Sequence, residues 1–181
     1  MSKAGKGVKG FSLIELVIVV SVLSILAAVI APQVNKILTK SKISRLESEL
    51  KTIKTGVNTV YADVGTFPAE VETSIDPGLV SNANVPADDQ SNWLGPYMDR
   101  WPTEHPWGGS YDYNYGRYNN FNYDGNAGNE VYVTVSEDLT RDILEKIDAD
   151  LDDGIRNAGN IRHNGSNTLV YYIGEGPAWG S

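Results

Sequence analysis

No cysteine occurs anywhere in the 181 residues, so disulfides, thiol chemistry and thiolate metal or haem sites are excluded. Loops in such a chain are held by packing, by turns or by an oxygen-ligated metal. Histidine is almost as scarce, and His105 and His163 stand far apart in sequence. No G-x-S-x-G, H-E-x-x-H or Walker-type loop is present, so the chain does not read as an enzyme. Basic residues are the third shortage: 15 Lys and Arg face 23 Asp and Glu, a formal net charge of -8. Phosphate contacts need clustered Lys and Arg, so nucleic acid is not a partner. An acidic surface instead leaves room for cations.

Against these shortages stands one long apolar run, Phe11 to Ala31, broken only by small hydroxyl residues and one carboxylate, Glu15. At 1.5 Å per residue it makes a helix of roughly 30 Å, enough to cross the hydrocarbon core of a bilayer. The residues before it carry Lys3, Lys6 and Lys9 and no acid. The positive-inside rule then keeps the N-terminus in the cytoplasm and sends everything past Ala31 outward. A secretory signal peptide is cut after its apolar region, at small residues spaced A-x-A. Here Ala28-Val29-Ile30-Ala31-Pro32 fits that rule poorly, and the small residue stands before the run, at Gly10.

The segment Lys9-Gly10-Phe11-Ser12-Leu13-Ile14-Glu15 closely resembles the processing site of the type IV pilin superfamily, which holds type IV pilins and type II secretion pseudopilins. The resemblance implies cleavage after Gly10 by a prepilin peptidase and N-methylation of Phe11 as the new N-terminus. It further implies storage in the inner membrane, then self-assembly into a homopolymeric helical filament with the apolar helices bundled in its core. An inner-membrane assembly platform and minor pseudopilins or pilins are the other implied partners. Cleavage leaves 171 residues and, by removing three lysines, a net charge of -11.

Within this family Glu15 is assigned to assembly, and physical chemistry supplies a reason. A carboxylate in a spanning helix is costly, more so if unpaired. Cleavage creates an α-amino group nearby, cationic below about pH 8. Facing a neighbour's carboxylate, that amine neutralises both groups and fixes the stagger between subunits. A plainer reading has Glu15 at the interface, snorkelling or protonated. Pro32 is the second candidate assembly residue, where a lost helix hydrogen bond predicts a kink or local break.

Beyond Pro32 helical periodicity resumes. Val34, Ile37, Leu38, Leu46, Leu50, Ile53, Val57, Val60, Tyr61 and Val64 form an apolar stripe opposite a charged face. One helix from Ser12 to about Asp63 is expected, stopped by Gly65-Thr66-Phe67-Pro68, with Gly56 allowing close packing. Ala69 to Asn92 reads as a long loop turned at Asp76-Pro77-Gly78. Tyr111, Tyr113 and Tyr115 share one face of a short strand, Asp124-Gly125 is a plausible hairpin turn, and Val131 to Val135 is the clearest strand. A second helix is expected from Ser136-Glu137-Asp138 to Asp152-Asp153-Gly154, and a last strand over Thr168–Gly174. The fold class is α+β: a long N-terminal helix packed on a small antiparallel sheet, plus a second short helix. Residues 1–10 form the leader, 11–35 the transmembrane and filament-core helix, and 36–181 a globular domain in the periplasm or outside the cell.

The middle of the chain, Gly95-Pro96-Tyr97 through His105-Pro106-Trp107-Gly108, resembles a segment of major pseudopilins. That segment has an aspartate where this chain has His105. The resemblance therefore favours a pseudopilin of a type II secretion system, whose pseudopilus drives protein export. The alternative is the major pilin of a type IV pilus, serving adhesion or motility. A third reading takes the dense tyrosines and tryptophans as a carbohydrate-binding platform, although the same residues also suit a small packed sheet. No cofactor is required by any motif. Major pseudopilins are calcium-stabilised, and Asp150, Asp152 and Asp153 are the candidate metal ligands here, at an acidic helix end that a cation would relieve.

Overall fold

The stripe at steps of three and four is realised as a single helix, α1, spanning Leu13–Val64. Its 52 residues make it about 78 Å long. The computed structural model describes residues 10–116 and 128–178; the leader lysines, the Asp124-Gly125 turn and the last three residues lie outside them. Pro32 sits inside α1, which runs on past it. Gly65 ends the helix: it adopts φ +88°, and its N–H donates to the Tyr61 carbonyl at 2.9 Å. Only a residue free to enter the left-handed region closes a helix this way at little cost.

Two units divide the chain, residues 1–41 and Lys42–Ser181. In the first, every described residue is exposed. In the second, Ile43, Leu46, Leu50, Ile53, Val57 and Val60 of α1 are buried, none more than 2% exposed. The buried face thus begins at Ile43, which the expected stripe omitted, whereas Val34, Ile37 and Leu38 stay exposed.

The sheet that covers this face has four antiparallel strands: β1 (Ser110–Tyr115), β2 (Glu130–Ser136), β3 (Ile161–His163) and β4 (Thr168–Glu175). Their spatial order is β1-β2-β4-β3. Alternation places Tyr111, Tyr113, Val131, Val133 and Val135 inward, and they join the α1 residues in one core. Each fully buried aliphatic side chain in that core contributes about 1.5–3 kcal/mol. Gly56 lets the loop come close to the helix, since a Cβ there would stand 3.2 Å from Met98 Cγ.

Among the described residues, the aromatic side chains Phe67, Trp101, Tyr111 and Tyr113 are buried. Tyr111 and Tyr113 are fully buried and Trp101 nearly so. The two tyrosine hydroxyls are satisfied by the protein: Tyr113 OH donates to the Pro68 carbonyl at 2.9 Å and Tyr111 OH to Glu49 Oε2 at 2.6 Å. Trp93 Nε1 donates to the Gly78 carbonyl at 2.8 Å. These side chains fill the core rather than offering a platform for sugars. The loop before them is organised by Asp76, whose carboxylate accepts the N–H groups of Gly78, Leu79, Val80 and Ser81.

Two elements differ from expectation. The second helix, α2 (Arg141–Leu151), starts later than Ser136, after the cap position Thr140. Ser136 instead ends β2, and Glu137 and Asp138 turn the chain with positive φ of 74° and 51°. β3 lies in what reads as a polar loop; three residues at the sheet edge are too short for a recognisable alternation.

Candidate functional site

The candidate functional residues fall in two places, the start of α1 and the end of α2. At the first, Gly10 is exposed, with open space where a side chain would stand, and Phe11 is 89% exposed. Both precede the helix, so the peptide bond between them lies in irregular chain before α1. Ser12 and Glu15 then cap α1 reciprocally. The Ser12 N–H donates to Glu15 Oε2 at 2.8 Å, and the Glu15 N–H donates to Ser12 Oγ at 3.2 Å. This capping box satisfies two helix-end donors that the apolar surroundings of a membrane could not. It also holds the Glu15 carboxylate against the Ser12 N–H, four residues along the chain from Phe11.

From Leu13 to Leu38 the large apolar side chains are between 43% and 82% exposed: Leu16 59%, Leu23 58%, Ile30 53%, Val34 43%. By length and composition α1 can cross a membrane. An apolar stretch of this size left uncovered marks an interaction surface. Ser21 and Ser24 donate back to the Val17 and Val20 carbonyls, both at 2.7 Å, so their hydroxyls add no unmet polarity to it. Pro32 lies on the exposed surface of the same stretch.

At the end of α2 the three candidate ligands separate. Asp150 is turned to Lys146, Oδ2 to Nζ 2.9 Å, and stands beside Glu47 of α1. Burial, then the charge of Asp150, pushes the Glu47 carboxyl above its ordinary value. Asp152 and Asp153 instead meet Asp148, with one oxygen from each of the three within 4.8 Å of the others. Helical geometry dictates the choice, because 148 and 152 are one turn apart and 150 faces the other side. Asp148 is fully buried, and neither carboxylate oxygen has a hydrogen bond of normal geometry. His163 Nε2 is 3.6 Å from Asp148 Oδ2, and the Gly154 N–H also faces the group. Burial, with the charges of Asp153 and Asp152, raises Asp148 to about 6. Burial lowers the His163 imidazole, which weakens it as a counter-ion for the carboxylate.

These donors fit calcium. All are hard oxygen atoms, and two ligands across a calcium ion stand about 4.6–5.2 Å apart, which covers the observed spread. Gly159 admits the arrangement: a Cβ there would collide with Asp152 Oδ2. The ligand candidates named from sequence omit Asp148, because only the fold shows its carboxylate buried beside Asp152 and Asp153.

His105, the departure from the pseudopilin segment, makes its own bonds. Nδ1 accepts the Trp107 N–H at 3.2 Å, and Nε2 faces the Ser136 and Glu137 carbonyls at 3.0 and 3.1 Å. It is 3% exposed and ties the loop to the end of β2.

Comparison with known proteins bears on the N-terminal segment and on the stretch that follows it. A family model described as "Prokaryotic N-terminal methylation motif" matches residues 5–31, and one described as "PilW, C-terminal" matches residues 37–127. The type II secretion system core protein G of Pseudomonas aeruginosa is 31% identical over 107 residues, 58% of this chain and 71% of that protein. A type IV major fimbrial protein of Dichelobacter nodosus is 44% identical over 55 residues, 30% of this chain and 35% of the relative. The chain thus spans about a third of the length of that fimbrial relative. The solved structure of a major type IV pilin from Clostridium difficile, 14% identical, covers 75% of this chain and 96% of its own at a TM-score of 0.45.

Proposed function

The chain belongs to the type IV pilin superfamily, a family of structural filament subunits rather than enzymes, and on that premise we propose that it is a pseudopilin of a type II secretion system. In this reading it is held in the inner membrane by residues 11–35 with its globular domain outside the cytoplasm. Prepilin peptidase cuts after Gly10, Phe11 is methylated, and copies polymerise with an assembly platform and minor pseudopilins. The filament pushes folded proteins outward.

One observation carries the choice of branch. The match to the secretion-system protein runs for 107 residues, about twice the length of α1, so it extends past the helix into the globular domain. The short fimbrial match has the length of the helix that every member of the family needs. The second reading, a surface pilus for adhesion or motility, is favoured by the higher identity of that shorter match.

Physical reasons make polymerisation the use of the N-terminal half. Each copy exposes an apolar stripe that water disfavours and lipid or neighbouring helices accept. Release of the α-amino group at Phe11 supplies the positive partner that Glu15 lacks within its own helix. Deletion of the gene separates the branches: loss of secreted proteins from the medium supports the pseudopilin, and loss of surface fibres or twitching with secretion intact supports the pilus.

A further inference from the structure

We propose that residues 33–40 are a headgroup-docking segment, in which Lys36 and Lys40 hold the phosphate oxygens of anionic phospholipid on the outer face of the membrane. The inference rests on the reading that residues 11–35 anchor the chain in a bilayer, and it does not depend on which filament the chain builds.

The first observation is where the charge lies. Acidic residues outnumber basic ones, 23 to 15, yet none occurs between Glu15 and Glu47, while Lys36, Lys40, Lys42 and Arg45 all fall in that interval. The last two are engaged within the globular unit: Lys42 Nζ lies 5.6 Å from the Trp107 ring centroid, and Arg45 Nε is 2.8 Å from Glu49 Oε1. Lys36 and Lys40 precede that unit and are exposed. Among the described residues neither meets a carboxylate, a carbonyl or a ring. No acidic group there balances them.

The second observation is the pattern. At about 100° per residue, Lys36 and Lys40 share one side of α1, with Gln33 and Thr39 beside them. Val34, Ile37 and Leu38 take the opposite side and are 43%, 67% and 55% exposed. The buried face of α1 begins only at Ile43. A short stretch that is apolar on one side and lysine-bearing on the other suits the boundary between acyl chains and headgroups.

Depth agrees with this pattern. Counted from Leu13, Lys36 stands about 35 Å and Lys40 about 41 Å along α1. A bilayer has about 30 Å of hydrocarbon, and about 40–45 Å with its headgroups, so both ammonium groups reach the outer headgroup layer. Their long stems let the charges rise into that layer while Val34, Ile37 and Leu38 face the acyl chains. Phosphatidylglycerol offers the lysines an unbalanced phosphate; phosphatidylcholine offsets its phosphate with its own cation.

The test uses the full chain reconstituted in phosphatidylcholine bilayers containing phosphatidylglycerol, with insertion checked by resistance to alkaline carbonate. Electron paramagnetic resonance of spin-labelled versions of the two lipids reads which one the chain prefers. At physiological salt wild type is expected to prefer phosphatidylglycerol by about fivefold for each lysine. Salt at about 1 M, where the Debye length is about 3 Å, should remove most of that preference. Lys36→Gln combined with Lys40→Gln should abolish it, and the matching pair of arginine substitutions should keep it. Lys51→Gln, about 16 Å farther along α1 than Lys40, should leave it unchanged. No preference in an inserted wild-type chain, a preference that survives the double glutamine variant, or an equal loss in Lys51→Gln each overturns the proposal. Zero-length cross-links from Lys36 or Lys40 to a carboxylate of another copy in the same bilayers would overturn it too, by making them a contact between subunits. A chain washed off by carbonate sinks the membrane reading and the proposal with it.

Discussion

The two halves of α1 share one backbone conformation and nothing else. Between Leu13 and Lys42 no residue is buried, although most are apolar. Between Ile43 and Val60 six apolar residues at steps of three and four are essentially inaccessible, and charged residues hold the rim. Glu49, for example, pairs with Arg45 at 2.8 Å and accepts the Tyr111 hydroxyl. The outer half has its partner within the chain. The inner half carries an all-round apolar surface whose partner must be lipid or other copies, so stability of the fold and capacity to assemble reside in different stretches of one helix.

The largest way to break this comparison is at its N-terminal boundary. Gly10→Val is expected to abolish cleavage, leaving three lysines on a segment that cannot then enter an apolar bundle. Intact-mass measurement of the membrane-extracted chain should show residues 1–10 retained, and electron microscopy should show no filaments. Next, Glu15→Leu should insert at least as well as wild type, since a costly polar group is gone, yet reduce filament yield tenfold or more because the Phe11 amine loses its partner. Quantitative blotting of sheared filaments against membrane fractions reads this directly.

A paired substitution sharpens the comparison. Leu50→Ala, in the buried half, should lower stability by about 2–5 kcal/mol through cavity formation. Leu23→Ala, in the exposed half, should leave the melting of the detergent-solubilised chain within about 0.5 kcal/mol of wild type. Equal effects would mean that the two halves are not distinct. The smallest effect belongs to Glu47, whose carboxyl is raised by burial and by Asp150. A carboxyl raised in the folded state stabilises the fold below its unfolded pKa and loses that contribution as pH rises through the folded one. Glu47→Gln should therefore give a small rise in Tm at pH 7 that disappears near pH 4.

Much of this architecture was readable from residue spacing. Leu46, Leu50, Ile53, Val57 and Val60 announce a buried helical face, and Val131 to Val135 a strand, because long periodic patterns have few alternative structures. The start of α2 was less legible: Ser136-Glu137-Asp138 has the composition of a helix start, but pairing of Ser136 with β1 and β4 takes precedence. β3 is defined by its partner β4 and not by its own three residues. Gly10, Phe11 and Glu15 carry a processing signature in sequence, whereas the meeting of Asp148 with Asp152 and Asp153 depends on where α2 stops. Asp150 looked equivalent to its neighbours in sequence and faces the opposite side in space.

Helical reconstruction of the assembled filament by electron cryomicroscopy tests the central claim most directly. The account expects residues 11 to about 35 of every copy to lie along the filament axis, packed against neighbouring copies, with a Glu15 carboxylate about 3 Å from a Phe11 α-amino group. Globular domains at the axis, with the apolar half of α1 at the periphery, would contradict it.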